Sequence, residues 1–476
     1  MPNPRCFHTR GPQLARLFAC LFAALTLVGA SSAHPAETLL LRDIRAIDPV
    51  DGIREPMDLL IRDGRIALMG QNLDAPPAVR IIDGTGRYIM PGLWDMHVHL
   101  SYDARLTELM PDLFLDYGIT SIRDTGGLLE NMLPIVEKLR APGAIAPRLY
   151  FSGPLMDGQP VVYDGGDVQH MGIANPTPEA AVSNIRQLQD AGVDFVKIYE
   201  MVSPQVFAAL VAAAGNAGLP IAAHVPLSML VSDAGPQVQS MEHLRNLELD
   251  CAANAQALLV ARRQMLETGL GETGLGLRSQ IHTAQRIEAI QNEDPRRCDT
   301  VLASLRHTTQ VPTARLNAMT QYPPFKRTDW IAALETLPEA VAKSWRDAPS
   351  QLSADEHYRV LGEWTLAMIP RLAQAGVPIG AGTDTPIGWA IPGYSLHSEL
   401  EILVAAGLSP LAALAAATLQ PARFFGLENE LGRILPTYRA DLLILEANPL
   451  DAIANSRRIH AVIADGRMVR AAARPE

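Results

Sequence analysis

Three times in its centre the chain repeats one phrase: a helical stretch, a glycine, a short apolar run and a polar residue closing that run. "TPEAAVSNIRQLQDAG" (177–192) leads into "VDFVKIYE", "SPQVFAALVAAAGNAG" (203–218) is followed by "PIAAH", and "EWTLAMIPRLAQAG" gives way to "VPIGAGTD". Runs this short and this uniformly apolar fit strands covered on both faces, the condition of a parallel sheet. The helices carry their own punctuation: Ser203 and Ser409 stand where a hydroxyl caps a helix, and Pro204 and Pro410 where proline suits its first turn. Helix and buried strand in alternation predict the α/β class and a (β/α)8 TIM barrel.

The barrel is expected over 91–426. Two stretches break its rhythm, at about 244–310 and about 314–360, and both are far longer than ordinary connections. They are expected to fold over the barrel mouth. Before the barrel, 34–90 reads as alternating strands separated by Asp-Gly and Gly turns at hairpin spacing. The same vocabulary returns over 427–476 in "ADLLILEANP" and "IHAVIADGRMVRA", so both ends are expected to build one small β-sandwich-like module.

In a barrel of this kind chemistry gathers at the C-terminal strand ends. Those positions hold His97 and His99 in "PGLWDMHVHL", then Lys197, His224, His243 and Asp384. Two residues apart on an extended strand, His97 and His99 share a face. Each residue alone has a structural explanation: a hydrogen-bonded histidine, a lysine paired with an inner carboxylate such as Asp384, an aspartate capping the turn after Gly382. Six such coincidences at six strand ends are harder to accept. Imidazole and carboxylate are what zinc and related divalent ions select. A lysine among apolar neighbours is costly to bury unpaired, but its amine can take up carbon dioxide, and the carbamate's two oxygens can bridge two cations.

The N-terminus is a separate object. Arg5, Arg10 and Arg16 precede the apolar run 17–30, and "SSA" offers small residues for cleavage, so 1–33 reads as a secretory signal peptide. The run falls short of the roughly 20 residues a spanning helix needs, so stable membrane insertion is not expected. Export would place the mature chain in the periplasm or outside the cell, where Cys251 and Cys298 can form a disulfide across the first insertion. Such a bond would staple a lid rather than the core. The formal charge of -11 comes without a basic stripe or lysine-rich tail, which argues against nucleic acid as a partner. The expected partner is a small-molecule substrate, and a homo-oligomer is left open.

Taken in order, "PGLWDMHVHL", "VDFVKIY", "IAAHVP", "SMEHL" and "AGTDTP" resemble the amidohydrolase superfamily, in the branch of imidazolonepropionase-like enzymes and zinc-dependent Xaa-Pro dipeptidases. The tail "GLSPLAALAAATLQPARFFGLE" resembles that branch too. The resemblance implies that His97, His99 and Asp384 hold a buried metal ion and His224 and His243 a second, with carbamylated Lys197 between them. It implies two divalent ions, zinc by default, and a metal-bridging hydroxide that attacks an amide carbonyl, with Asp384 moving the proton to the leaving amine. A dipeptide or N-acyl amino acid is the substrate this suggests; a cyclic amide or lactone hydrolase, or a mononuclear deaminase, is the alternative.

Other residues carry weaker expectations. His170, in "YDGGDVQHMGI", falls where relatives often touch substrate. Tyr199 shares a face with Lys197 and could bond substrate or shield the carbamate. Arg123 could meet a substrate carboxylate or form an ion pair with Asp124 or a neighbour. His397 is expected to build the mouth, and Glu242, alternating with His243, to point away from the metals. "HVPLSML" after His224 lacks the aromatic or polar substrate contact of many dipeptidase-like relatives, and the first insertion has no obvious counterpart in simpler members.

Overall fold

The computed structural model describes residues 37–166, 168–269, 271–347 and 356–471. The signal-peptide segment 1–33 lies outside the described residues. Strands Leu93–Val98, Ile119–Asp124 and Arg148–Phe151 pair in parallel. Val196–Ile198, Ile221–Ala223, Ser240–Glu242 and Thr309–Val311 continue in the same sense. The Asp194 N–H donates to the Phe151 carbonyl at 2.9 Å, joining the third strand to the fourth. Parallel bridges from Gln310 to Ile379 and from Val98 to Thr385 complete the ring through an eighth, irregular segment.

Every residue of Leu93–Val98 and of Ile119–Asp124 is buried, as strands with a packed interior on one face and helices on the other must be. The connecting helices start as their sequences predict. Thr177, Ser203 and Ser409 each accept a backbone N–H three residues on, each with proline following. Gly192 and Gly218 end two of them at φ of +73° and +69°, a conformation that a Cβ would strain.

The two chain ends meet in one sheet. Tyr88–Pro91 pairs antiparallel with Leu442–Leu445 and parallel with Leu39–Asp48, so strands from both chain ends lie in one sheet. Side chains alternate between two cores: Ile89, Leu442 and Ile444 fill the module's own, while Met90, Leu443 and Leu445 join the barrel's. The module is thus fastened to the barrel.

The first insertion is helical: Leu247–Cys251, Ala255–Thr268, Gly274–Gln291 and Pro295–Ser304. Cys251 and Cys298 form a disulfide between its first and last helices. The bond does not sit in a detachable lid. Both cysteines are fully buried, and they pack with Leu247, Val301 and Leu302 in the same hydrophobic cluster as the barrel strands. The second insertion contributes Ala314–Asn317, Thr328–Ala333 and Glu339–Arg346. No helix among the described residues is long and apolar enough to cross a membrane.

His397 departs from expectation. Its Nε2 meets the Tyr117 carbonyl at 2.9 Å and its Nδ1 the Ser456 hydroxyl at 2.8 Å. Tyr117 lies just before the strand Ile119–Asp124 begins, so this histidine ties helix Tyr394–Ala405 to the N-terminal end of the barrel, opposite the mouth.

Candidate active site

The strand ends converge. The ligand atoms of His97, His99 and Asp384 lie within 4.8 Å of one another, all three residues buried. Asp384 Oδ1 stands 3.2 Å from both imidazole Nε2 atoms. The backbone makes this possible: Asp384 adopts φ +62° and its N–H donates to the His97 carbonyl at 2.7 Å. Arg315 clamps the segment from outside, donating to the carbonyls of Thr383 and Ile387 at 2.9 Å each. Asp95, behind the strand, accepts from the Thr383 N–H at 3.0 Å and its hydroxyl at 2.6 Å.

His243 and His224 extend the cluster. The His243 ring centroid lies 4.6 Å from that of His97 and 4.8 Å from that of His224. In all four imidazoles Nδ1 is occupied by an acceptor. His97 Nδ1 is 2.7 Å from Glu242, His224 Nδ1 2.8 Å from Glu200, His243 Nδ1 2.6 Å from the Thr313 hydroxyl, and His99 Nδ1 3.2 Å from the Gly126 carbonyl. The Thr313 hydroxyl donates to the Pro312 carbonyl, so toward His243 it accepts. In the tautomer that donates from Nδ1, each Nε2 keeps the lone pair that metal ligation requires.

Glu242 therefore differs from expectation. It lies inside the barrel beneath His97, because strict alternation ends at His243, whose φ is +62°. Arg123 takes the second of its expected roles, a structural ion pair. It is fully buried, donating to Glu242 at 2.7 Å, to the Ser240 hydroxyl at 2.9 Å and to the Met96 carbonyl at 2.6 Å. Its pair is Glu242, not Asp124, and it has no path to a substrate.

Lys197 lies among these groups, 1% exposed, and its Nζ has no hydrogen-bond partner among the described residues. The pairing with Asp384 is not made. Burial pushes its amine down to about 8; Glu242 opposes the shift and Arg123 adds to it. Burial likewise drives His224 and His243 well below the usual imidazole range. Burial opposes ionisation of Asp384, but His243, His97 and His99 outweigh it and hold the carboxyl well below its usual range. Burial also opposes charging of His99, yet the Asp384 carboxylate prevails and shifts it up. The downward shifts at His224, His243, Lys197 and Asp384 each favour the form that binds a divalent cation, while that at His99 runs the other way.

A match to the amidohydrolase family model covers residues 88–469. The chain belongs to the amidohydrolase family. It is accordingly a hydrolase of carbon–nitrogen bonds, in a family that is generally metal-dependent. A putative prolidase from Bifidobacterium longum shares the fold at a TM-score of 0.65 and 24% identity, over 91% of this chain and 95% of that one. A Xaa-Pro dipeptidase with bound methionine in its active site aligns at 0.65 and 18%, over 91% and 100%. A dihydroorotase of Pelobacter propionicus is 48% identical over 62 residues, 13% of this chain and 15% of that protein's length.

Within this amidohydrolase site a cavity of about 100 Å³ opens above Lys197, walled by Tyr163, Tyr199, Arg245 and Arg278 besides the histidines and Asp384. Tyr199 is 4% exposed and lies over His224, with ring centroids 4.4 Å apart. His170 is not brought in: it is exposed, bridged to Asp164 on its loop, while Tyr163 and Met171 of the same loop face the cavity.

Sequence reasoning passed over Glu200, Arg245, Arg278 and His282. A charged residue closing the apolar run "VKIYE", two residues beyond the buried strand, was a usable signal for Glu200. Arg278, His282 and Arg286 recur every four residues, which marks one helix face. Nothing in that spacing says the face is buried.

Proposed function

We propose that the protein is an exported, binuclear metal-dependent amidohydrolase that cleaves an amide bond in a small substrate bearing a carboxylate, such as a dipeptide or N-acyl amino acid. The observation that carries this is the buried Lys197 amine, without a hydrogen-bond partner among the described residues, in one cavity wall with His97, His99, His224, His243 and Asp384. His97, His99 and Asp384 would hold one ion, His224 and His243 the other, and Lys197 as a carbamate both. When bound, such ions lower the pKa of water and polarise a carbonyl; zinc suits the donor set. Asp384, ionised and beside the nucleophile, takes up a proton and returns it to the leaving amine. The apolar run 17–30 and the Cys251–Cys298 bond support export.

Arg245 supports the carboxylate. It lines the cavity two residues after His243, and its Nε has no hydrogen-bond partner among the described residues. Its nearest acid, Glu200, is 3.9 Å away and already engaged by other donors. A substrate carboxylate would supply the missing acceptor. Arg245→Met is expected to raise KM roughly 10- to 100-fold, the worth of a charge-assisted hydrogen bond, with kcat little changed. Substrates amidated at that carboxylate should then show no further loss, and equal loss for acid and amide would contradict the assignment.

The amine itself offers a second test. Only the unprotonated amine takes up carbon dioxide. At fixed dissolved carbon dioxide, reactivation of metal-stripped protein by zinc should accelerate about tenfold per pH unit up to about 8 and level off above it. An unperturbed lysine would keep accelerating to about pH 10.4; such a profile would contradict the buried, unpaired setting.

The function is tested by mass-spectrometric screening of the zinc-replete protein against dipeptides, N-acyl amino acids, cyclic ureides and lactones. Cleavage of linear amides with free carboxylates is expected. The local likeness to a dihydroorotase favours cyclic amides as the second reading, and their exclusive cleavage would establish it. A mononuclear deaminase has no use for Lys197.

A further inference from the structure

Glu200 lies two residues beyond the lysine strand Val196–Ile198 and is fully buried. Three side chains converge on it within hydrogen-bond distance. Its Oε1 lies 2.8 Å from His224 Nδ1 and 3.2 Å from Arg278 Nη2; its Oε2 lies 2.7 Å from His282 Nε2 and 3.0 Å from Arg278 Nε. Arg278 and His282 stand one turn apart on helix Gly274–Gln291, inside the first insertion and not on the barrel.

The insertion also grips the chain just beyond His224. Arg262 donates to Asn246 Oδ1 at 2.9 Å, and Asn246 Nδ2 donates to the Val225 carbonyl at 2.9 Å. Arg263 donates to the Ser228 carbonyl at 2.9 Å. Arg286 to Glu248, at 3.0 Å, and the Cys251–Cys298 disulfide bind the insertion's helices to one another.

We propose that the insertion 247–304 is a structural part of the second metal site: Arg278 and His282 fix Glu200, and Glu200 fixes the His224 ring with Nε2 facing the cavity. This rests on the binuclear reading above. The physical reason lies in the carboxylate. Buried with only one imidazole N–H to accept, Glu200 would carry an uncompensated charge and could turn away. Arg278 supplies two donors and His282 one, so both oxygens are satisfied and the rotamer is held. A mere lid would touch substrate and leave metal binding untouched. His282 does not line the active-site cavity, and its hydrogen bond toward the site is the one to Glu200.

The test is His282→Leu in the zinc-loaded mature protein, with stepwise zinc removal by a competing chelator, thermal unfolding of the metal-free form, and His282→Gln as the conservative partner. The expected result is that one of two zinc ions is held about 10- to 100-fold more weakly, the effect typical of removing an outer hydrogen-bond partner. The other ion is unchanged, and His282→Gln, which keeps a donor, regains most of the loss. Unchanged affinity at both sites overturns the proposal, as does an equal weakening of both with a lowered unfolding midpoint. If His282→Leu does not fold, Glu200→Gln is read by the same criteria. Wild-type protein that is fully active with one zinc per chain overturns the binuclear reading itself, and it does so before any variant is made.

Discussion

Lys197→Ala is expected to lower kcat on the order of 10³- to 10⁴-fold, the scale reached when a residue acting as part of a catalytic unit is removed. The loss follows from what surrounds the amine. Lys197 Nζ has no hydrogen-bond partner among the described residues, so removing the amine breaks no hydrogen bond. Under the proposed function its amine would, as a carbamate, offer two oxygens to ions held by the His97–His99–Asp384 cluster and the His224–His243 pair. The variant should therefore bind less metal while folding as well as the parent, since an unpaired buried amine costs stability rather than adding it. A small carboxylate such as acetate has the same two oxygens, and should restore part of the activity through the space the side chain leaves. Activity within about tenfold of wild type would contradict the account.

Asp384→Asn is the second large effect, expected to lower kcat on the order of 10²- to 10⁴-fold, the range for a displaced general acid–base group. The substitution keeps the shape and the backbone bond to the His97 carbonyl, so the segment clamped by Arg315 should stay in place. It removes the charge that three histidines hold well below the usual carboxylate range, and with it the group that can carry a proton across the reaction. Zinc should also leave the His97–His99 site more readily, because a neutral amide is a poorer ligand than a carboxylate. The readouts are separate: stoichiometry reports ligation, and the pH profile of kcat reports proton transfer. An Asn variant with its metal retained and kcat unchanged would remove Asp384 from the chemistry.

The barrel was legible because its helices and buried strands differ in period, and because Ser203 and Ser409 mark helix starts where they in fact cap them. The six strand-end residues were legible only as a set: each alone has a structural explanation, but six polar residues each closing an apolar run do not. What escaped lies one layer behind. Glu242 was expected to face outward by alternation, but alternation holds only along extended backbone, and His243 is left-handed. Arg123 looked available to substrate because its partner, Glu242, is 119 residues away in sequence. Glu200, Arg278 and His282 meet only when an insertion with no periodic relation to the barrel docks on it. The disulfide was readable as a pair of cysteines; its place in the core was not, since that depends on which helices pack between strands.

The central claim is that Lys197 is a carbamate bridging two ions, and one measurement addresses it directly: carbon-13 NMR of protein reconstituted with zinc and labelled bicarbonate, alongside zinc counting. The account predicts one carbamate resonance per chain, two zinc ions, and loss of the resonance together with bound metal in Lys197→Ala. Full activity with a single zinc ion and no labelled resonance would contradict it.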